Sequence, residues 1–298
     1  MLAACLTALA LMSGSASAVW VGTSGSNIPA GTMQGGNEAD GTPLYLCRAN
    51  FGAPGNPGVH PGKTRKEFNG CNIGWGGAER AVANYEVLVE WQATSGSNIP
   101  ADAVQGGQEN EGPLYICRAN YQGGVHMGKT RKAFNACNIG YGGQEVAVST
   151  YEVMVEKVGV WVATSGANIP ANALQGGHEA NGMPLYLCRA NYGATGNLGV
   201  HPGKTRKEFN GCNIGWGGAE RAVANYEVLV GWKDTSGSNI PANAVQGGQE
   251  NEGPLYICRA NYQGGVHMGK TRRAFNACNF GYGGKEIQGG TYQVLIKQ

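Results

Sequence analysis

The chain has 298 residues, room for about two ordinary domains. Charged residues make up only 14% and the net charge is +2, which excludes the strong basic excess of a dedicated nucleic-acid binder. Glycine reaches 51 residues, yet it falls at fixed places such as Gln34-Gly35-Gly36 and Gly76-Gly77, the pattern of turn chemistry rather than of disorder.

The first 18 residues differ from the rest. Leu2 to Met12 is apolar, and the segment closes on small residues at Ala16 and Ala18. A short apolar run before an A-x-A site predicts a secretory signal peptide over residues 1–18. A buried N-terminal helix is the competing reading. The run is too short to span a bilayer comfortably, and no other apolar stretch matches its length, so a soluble, secreted chain without a membrane span is expected. Of nine cysteines, Cys5 would leave with the leader.

From Trp20 onward one pattern occurs four times. Trp20, Trp91, Trp161 and Trp232 open the units, at spacings of 71, 70 and 71 residues. The units run over 19–90, 91–160, 161–231 and 232–298. Units 1 and 3 match closely at an offset of 141 (161 − 20), as do units 2 and 4. A two-unit block duplicated as a whole explains this, and it predicts two modules in which an odd unit packs on its even neighbour.

Within a unit the signals are those of strands. "LYLCRAN" from Leu44 and "YEVLVEW" from Tyr85 alternate between two faces, and Gly and Asn clusters separate the runs. The expected fold class is all-β, built mainly of short antiparallel strands. Eight cysteines recur two per unit: Cys47 and Cys71, Cys117 and Cys137, Cys188 and Cys212, Cys258 and Cys278. An even set in a secreted chain suggests disulfides. One bridge per unit would stabilise a thin core by about 3 kcal/mol, although spacing leaves open whether partners share a unit.

The ordered set of an opening Trp, "NIPA", "PLYLCRAN", "PGKT", "GWGGAE" and "NYEVLV" resembles the DM9 repeat family, over nearly the whole chain after the leader. Characterised tandem DM9 proteins bind sugars in innate immunity and prefer mannose-containing glycans. The resemblance therefore implies a multivalent lectin with glycan partners. It leaves a homodimer open, since relatives can dimerise. In the mannose binders an acidic residue before "PLY" and the lysine of the P-G-K turn contact the sugar. Those positions are Glu38 and Lys63, Glu109 and Lys129, Glu179 and Lys204, Glu250 and Lys270. The acid here is Glu rather than Asp, one methylene longer. In units 2 and 4, Met127 and Met268 replace the proline, which predicts less rigid turns.

Residue chemistry supports such a site. A carboxylate accepts two sugar hydroxyls, a lysine donates to others, and Trp75 or Tyr141 can cover a C–H face. Gly35, Gly36 and Gly62 would let backbone approach the ligand. His60, His126, His201 and His267 read as turn histidines bonded to carbonyls. The basic run from Lys63 to Lys66 reads as a solvated strand face. Three other readings compete. A second carboxylate per unit (Glu79, Glu145, Glu220, Glu286) would suit glycoside hydrolysis. Cys47, His60 and Cys71 are too widely spaced for a structural zinc site. A matrix repeat protein would bind no sugar. The expected site needs no cofactor or metal, because no D-x-D-x-D-G calcium loop is present.

Overall fold

The computed structural model describes residues 19–54 and 56–297. The expected leader, residues 1–18, lies outside the described residues. The described chain is all-β, with four single-turn 3-10 segments. Each repeat holds the same seven strands. In repeat 1 they are β1 (Trp20–Ser24), β2 (Gln34–Asn37), β3 (Pro43–Ala53), β4 (Asn56–Thr64), β5 (Cys71–Trp75), β6 (Ala78–Val82) and β7 (Asn84–Leu88). The alternation read at Leu44 and Tyr85 is realised: Leu44 and Leu46 are fully buried on one face of β3, and in β7 Tyr85 and Val87 are buried on one face while Leu88 enters the core on the other.

All four disulfides lie within repeats: Cys47–Cys71, Cys117–Cys137, Cys188–Cys212 and Cys258–Cys278. Each ties β3 or its counterpart to the strand after the 3-10 turn. Each sulfur pair is the centre of its repeat's own small cluster, with the buried tyrosine and valine of the β7-type strand around it.

The fold has two double-repeat bodies, as the duplication predicts, but the partners differ from those expected. One 14-stranded sheet joins repeats 1 and 4, and the other joins repeats 2 and 3. Odd still packs on even, but not on its neighbour within the duplicated block. The junctions are equivalent in the two sheets. Asn37 of β2 meets Val266, Val59 of β4 meets Gln249, and Ala78 of β6 meets Lys285. In the other sheet Val125 meets His178, Gln108 meets Val200, and Gln144 meets Ala219.

The Q-G-G motif makes this approach possible. A Cβ on Gly36 would stand 2.0 Å from the Val266 carbonyl oxygen, and one on Gly248 would stand 1.9 Å from that of Val59. These glycines serve contact between repeats, so the expected role of Gly35 and Gly36 in approaching a ligand is corrected. Gly62 likewise faces backbone: its Cβ would stand 2.3 Å from the Asn72 oxygen. Between the two sheets lies one apolar core that takes side chains from all four repeats, among them Leu46, Trp91, Met127, Leu187, Trp232 and Met268. Met127 and Met268 are therefore core residues in strands, not loosened turns. A guanidinium covers each opening tryptophan. Arg48, Arg118, Arg189 and Arg259 of the C-R-A-N motif lie 4.2–4.4 Å from the ring centres of Trp20, Trp91, Trp161 and Trp232.

Candidate functional site

The G-K segment is the end of a strand rather than a turn. Lys63 pairs in register with Leu46 of β3 and Asn72 of β5, and its side chain is 1% exposed. Lys129, Lys204 and Lys270 are equally buried at 2%. This overturns the solvated basic face. Only the end of the run, at Lys66, is exposed. Thr64 is buried as well, and its hydroxyl donates to the Gly70 carbonyl at 2.7 Å.

A buried ammonium needs partners, and its main one comes from the other repeat. Lys63 Nζ donates to His267 Nδ1 at 2.8 Å, and Lys270 Nζ to His60 Nδ1 at 2.9 Å. Lys204 and His126 pair at 2.8 Å, and Lys129 and His201 at 3.0 Å. The opposite ring nitrogen faces a carbonyl of the histidine's own repeat. His60 Nε2 lies 3.0 Å from Phe51 O, His201 Nε2 3.0 Å from Tyr192 O, and His267 Nε2 3.2 Å from Tyr262 O. The carbonyl contact expected for all four histidines is formed at His60, His201 and His267, where it sets the tautomer, while His126 Nε2 has no hydrogen-bond partner among the described residues. Nε2 carries the hydrogen, so the Nδ1 lone pair is free to accept from lysine.

Burial, then the facing lysine, lowers the pKa of all four histidines, to about 4 for His126 and His267. Burial also lowers Lys63, Lys204 and Lys270, while the nearby glutamates oppose it.

Each predicted Glu–Lys pair comes together, but in two forms. In the even repeats the glutamate grips the lysine directly: Glu109 Oε1 is 3.2 Å from Lys129 and Glu250 Oε1 is 3.3 Å from Lys270. Arg131 and Arg272 hold the other oxygen at 3.1 and 3.0 Å. In the odd repeats Glu38 and Glu179 line the same cavities as Lys63 and Lys204. They act on those lysines through space, without a direct hydrogen bond among the described residues. The cause is the loop. The odd repeats have one more residue between Q-G-G and the proline (43 − 36 = 7 against 113 − 107 = 6). There Glu38 N–H donates to Thr42 O across a wider turn. In the even repeats Glu109 instead pairs with Gly112, at φ +130°, in a tight hairpin.

The cavities follow the same split. The Lys204 site encloses about 460 Å³ and the Lys63 site about 400 Å³, whereas the Lys270 site encloses about 300 Å³. Their walls are shared between repeats. Tyr282 of repeat 4 stands over Lys63 at 5.1 Å, and Tyr141 of repeat 2 over Lys204 at 5.2 Å. Trp75 of repeat 1 borders the Lys270 cavity. Trp75 and Tyr141 thus reach a pocket, but that of the partner repeat. A phenylalanine from the 3-10 turn completes each lysine's surroundings, 5.8–5.9 Å away, at Phe68, Phe134, Phe209 and Phe275.

The second carboxylate is a strut. Glu79 accepts from Asn72 Nδ2 and from the Gly284 N–H of repeat 4, both at 3.0 Å. Glu286 returns the bond to Gly77 N–H at 3.0 Å. Glu145 with Gly218 and Glu220 with Gly143 repeat the lock in the other sheet. Sequence reasoning missed the histidine–lysine bonds between repeats and the phenylalanine walls. The one available signal was recurrence: H-x-G-K and the phenylalanine five residues on recur at every site, but nothing in a single chain says which repeats face each other. Among the described residues no cluster of metal-ligating side chains occurs.

This architecture is that of a tandem-repeat β-protein with one composite pocket per repeat. The chain belongs to the DM9 repeat family, whose model matches residues 53–148, 115–199 and 194–289. Three overlapping segments are matched where the strand pattern counts four repeats. Comparison with curated proteins finds no match. Among solved structures the chain is similar to the nematode sperm cell motility protein MFP2B. The identity is 13% and the TM-score 0.18, over 94% of this chain and 97% of that one.

Proposed function

We propose that this protein is a secreted, multivalent carbohydrate-binding protein that takes mannose-type glycans in its inter-repeat pockets, in the setting of innate recognition of microbial surfaces. The observation that carries the reading is the pocket itself: a buried lysine, oriented by a histidine, facing a glutamate and an aromatic wall, built four times over. A hexose offers adjacent hydroxyls and an apolar C–H face. At the odd sites the lysine donates one hydrogen bond to histidine and keeps two N–H groups for sugar oxygens, the carboxylate accepts hydroxyl hydrogens, and Tyr282 or Tyr141 supplies a flat apolar surface. The family resemblance supplies the mannose preference.

The odd-repeat sites at Lys63 and Lys204 are the stronger candidates. Their cavities are larger than the one at Lys270, and Glu38 and Glu179 are not engaged by the lysine. At the even sites the sugar must compete with an ion pair already formed. Binding rather than hydrolysis suits the second carboxylates, since both oxygens of Glu79, Glu145 and Glu220 accept structural hydrogen bonds. Shallow sites of this kind bind a single sugar at about millimolar Kd, and several in one chain gain by avidity on a coated surface.

The test is retention on immobilised mannan with free mannose as competitor, repeated in EDTA. The expected result is mannose-sensitive retention that EDTA leaves intact. Absence of binding to mannan and to a broad glycan array would discard the lectin reading and leave a structural repeat protein.

A further inference from the structure

The four repeats end on equivalent positions, and these meet at one junction. They are occupied by Glu90, Glu156, Gly231 and Lys297. Val155 N–H donates to the Glu90 carbonyl, and Ile296 N–H to that of Gly231. Glu90 is 4% exposed and Glu156 7%. Two buried carboxylates at one junction need cations. Lys297 faces Glu156, but it is exposed. Arg118 faces Glu90, but its guanidinium already holds Glu152 at 2.7 Å. Glu90 Oε1 has no hydrogen-bond partner among the described residues.

The remaining partner is the start of repeat 1. The backbone nitrogen of Val19 donates to Glu156 Oε2 at 3.0 Å, and Val89 N–H donates to the Val19 carbonyl at 2.9 Å, fixing its position. Val19 directly follows Ala18 of the A-x-A motif. A peptide N–H is a neutral donor, whereas an ammonium in its place sets a full opposite charge at hydrogen-bond distance from the buried carboxylate.

We propose that hydrolysis of the Ala18–Val19 bond creates an α-ammonium on Val19 that forms an ion pair with Glu156 and completes the junction of the repeats. A peptidase of the leader-removing class adds water across the amide. Ala18 takes the hydroxyl as a carboxylate, and the released Val19 amine takes up a proton, since α-amines titrate near about 7.7–8.0. The junction then holds two acids, Glu90 and Glu156, and two cations, Lys297 and the terminus. Burial raises both acids, Glu90 to about 7, and the arriving charge opposes that rise. The proposal shares the secreted leader with the lectin reading but uses none of the sugar pockets.

Two measurements test it. The intact mass of the chain exported from a secreting host should give Val19 as first residue. Separately, thermal melts at pH 7 compare chains with a free Val19 amine, an acetylated Val19, and Gly-Ser placed before Val19. The acetylated form keeps the N–H and loses only the charge. The free form should melt about 4 °C above the other two, and Glu156→Gln should remove the gap. The terminus gains a partner on folding, so its folded pKa is raised. The gap is full below the unfolded α-amine value and closes as pH rises through the folded one. A first residue other than Val19, or equal melting of free and acetylated chains, would overturn the proposal. Sugar binding can fail in every form without touching either result.

Discussion

Replacing the pocket glutamates by glutamine separates a ligand contact from a structural one. At the odd sites, Glu38→Gln with Glu179→Gln removes a charge that no lysine holds directly. The loss falls on the sugar: a hydrogen bond to a charged group is worth about 1.5–3 kcal/mol, so mannose affinity at these sites should drop about ten- to a hundredfold. The melting temperature should stay put, because Arg206 is the nearest cation to Glu179, at 4.0 Å. At the even sites, Glu109→Gln with Glu250→Gln breaks pairs with Lys129 and Arg131, and with Lys270 and Arg272, at 3.0–3.3 Å. Glu109 is 12% exposed, so the pair is mostly desolvated. Removing one partner of a fully buried pair costs about 3–5 kcal/mol. Glutamine keeps an acceptor, so about 2 kcal/mol per site is expected, or about 4 kcal/mol and a fall of about 8–16 °C for the double variant. Calorimetric melting and mannose titration on the same samples read both effects. Unchanged affinity in the odd pair, or lost affinity at constant melting temperature in the even pair, would refute the division into open and self-paired sites.

Three further outcomes follow from the geometry. The histidines have folded pKa values below the unfolded 6.5, so the stability they contribute is present above 6.5 and is lost as pH falls through about 4 for His126 and His267. A melting series over that window should decline, and less steeply in His126→Gln/His267→Gln. A chain from Val19 should show no reactive thiol when denatured and eight after reduction, and opening each bridge should cost about 3 kcal/mol. The half chain 19–157 lacks the partners of both its repeats, so light scattering should find a dimer in which repeat 1 of each copy pairs with repeat 2 of the other; a folded monomer would contradict the pairing.

The strands, the four-fold repeat and the cysteine set were legible because each rests on local pattern. Leu44 and Leu46 alternate with Tyr45, and β3 buries them as that alternation demands. The pairing of repeats was not legible, since units 1 and 3 are nearly identical and units 2 and 4 likewise. Any odd–even match satisfies the same contacts, and only chain connectivity decides between them. The lysines were misplaced for a related reason. In sequence Lys63 stands in a basic run and reads as solvated. Its burial depends on His267, 204 residues away, which presents a lone pair rather than a proton. Nothing near Lys63 in the chain encodes that acceptor.

The same facts explain why a two-repeat block was the unit copied. A single repeat lacks half of its pocket. It brings a lysine and a glutamate, but the histidine that orients the lysine and the aromatic wall arrive from another repeat. It also leaves its Q-G-G strand and its Gly-Gly hairpin without partners. Two repeats in one chain cannot satisfy each other in the arrangement seen here, because repeat 1 closes on repeat 4 and repeat 2 on repeat 3. Two copies of the block can satisfy every junction. Joining those copies end to end makes four composite pockets intramolecular and gives both sheets one shared core. The divergence between odd and even loops then acts on pockets that already exist. One extra residue before the proline frees Glu38 and Glu179, while the tighter hairpin commits Glu109 and Glu250 to their lysines.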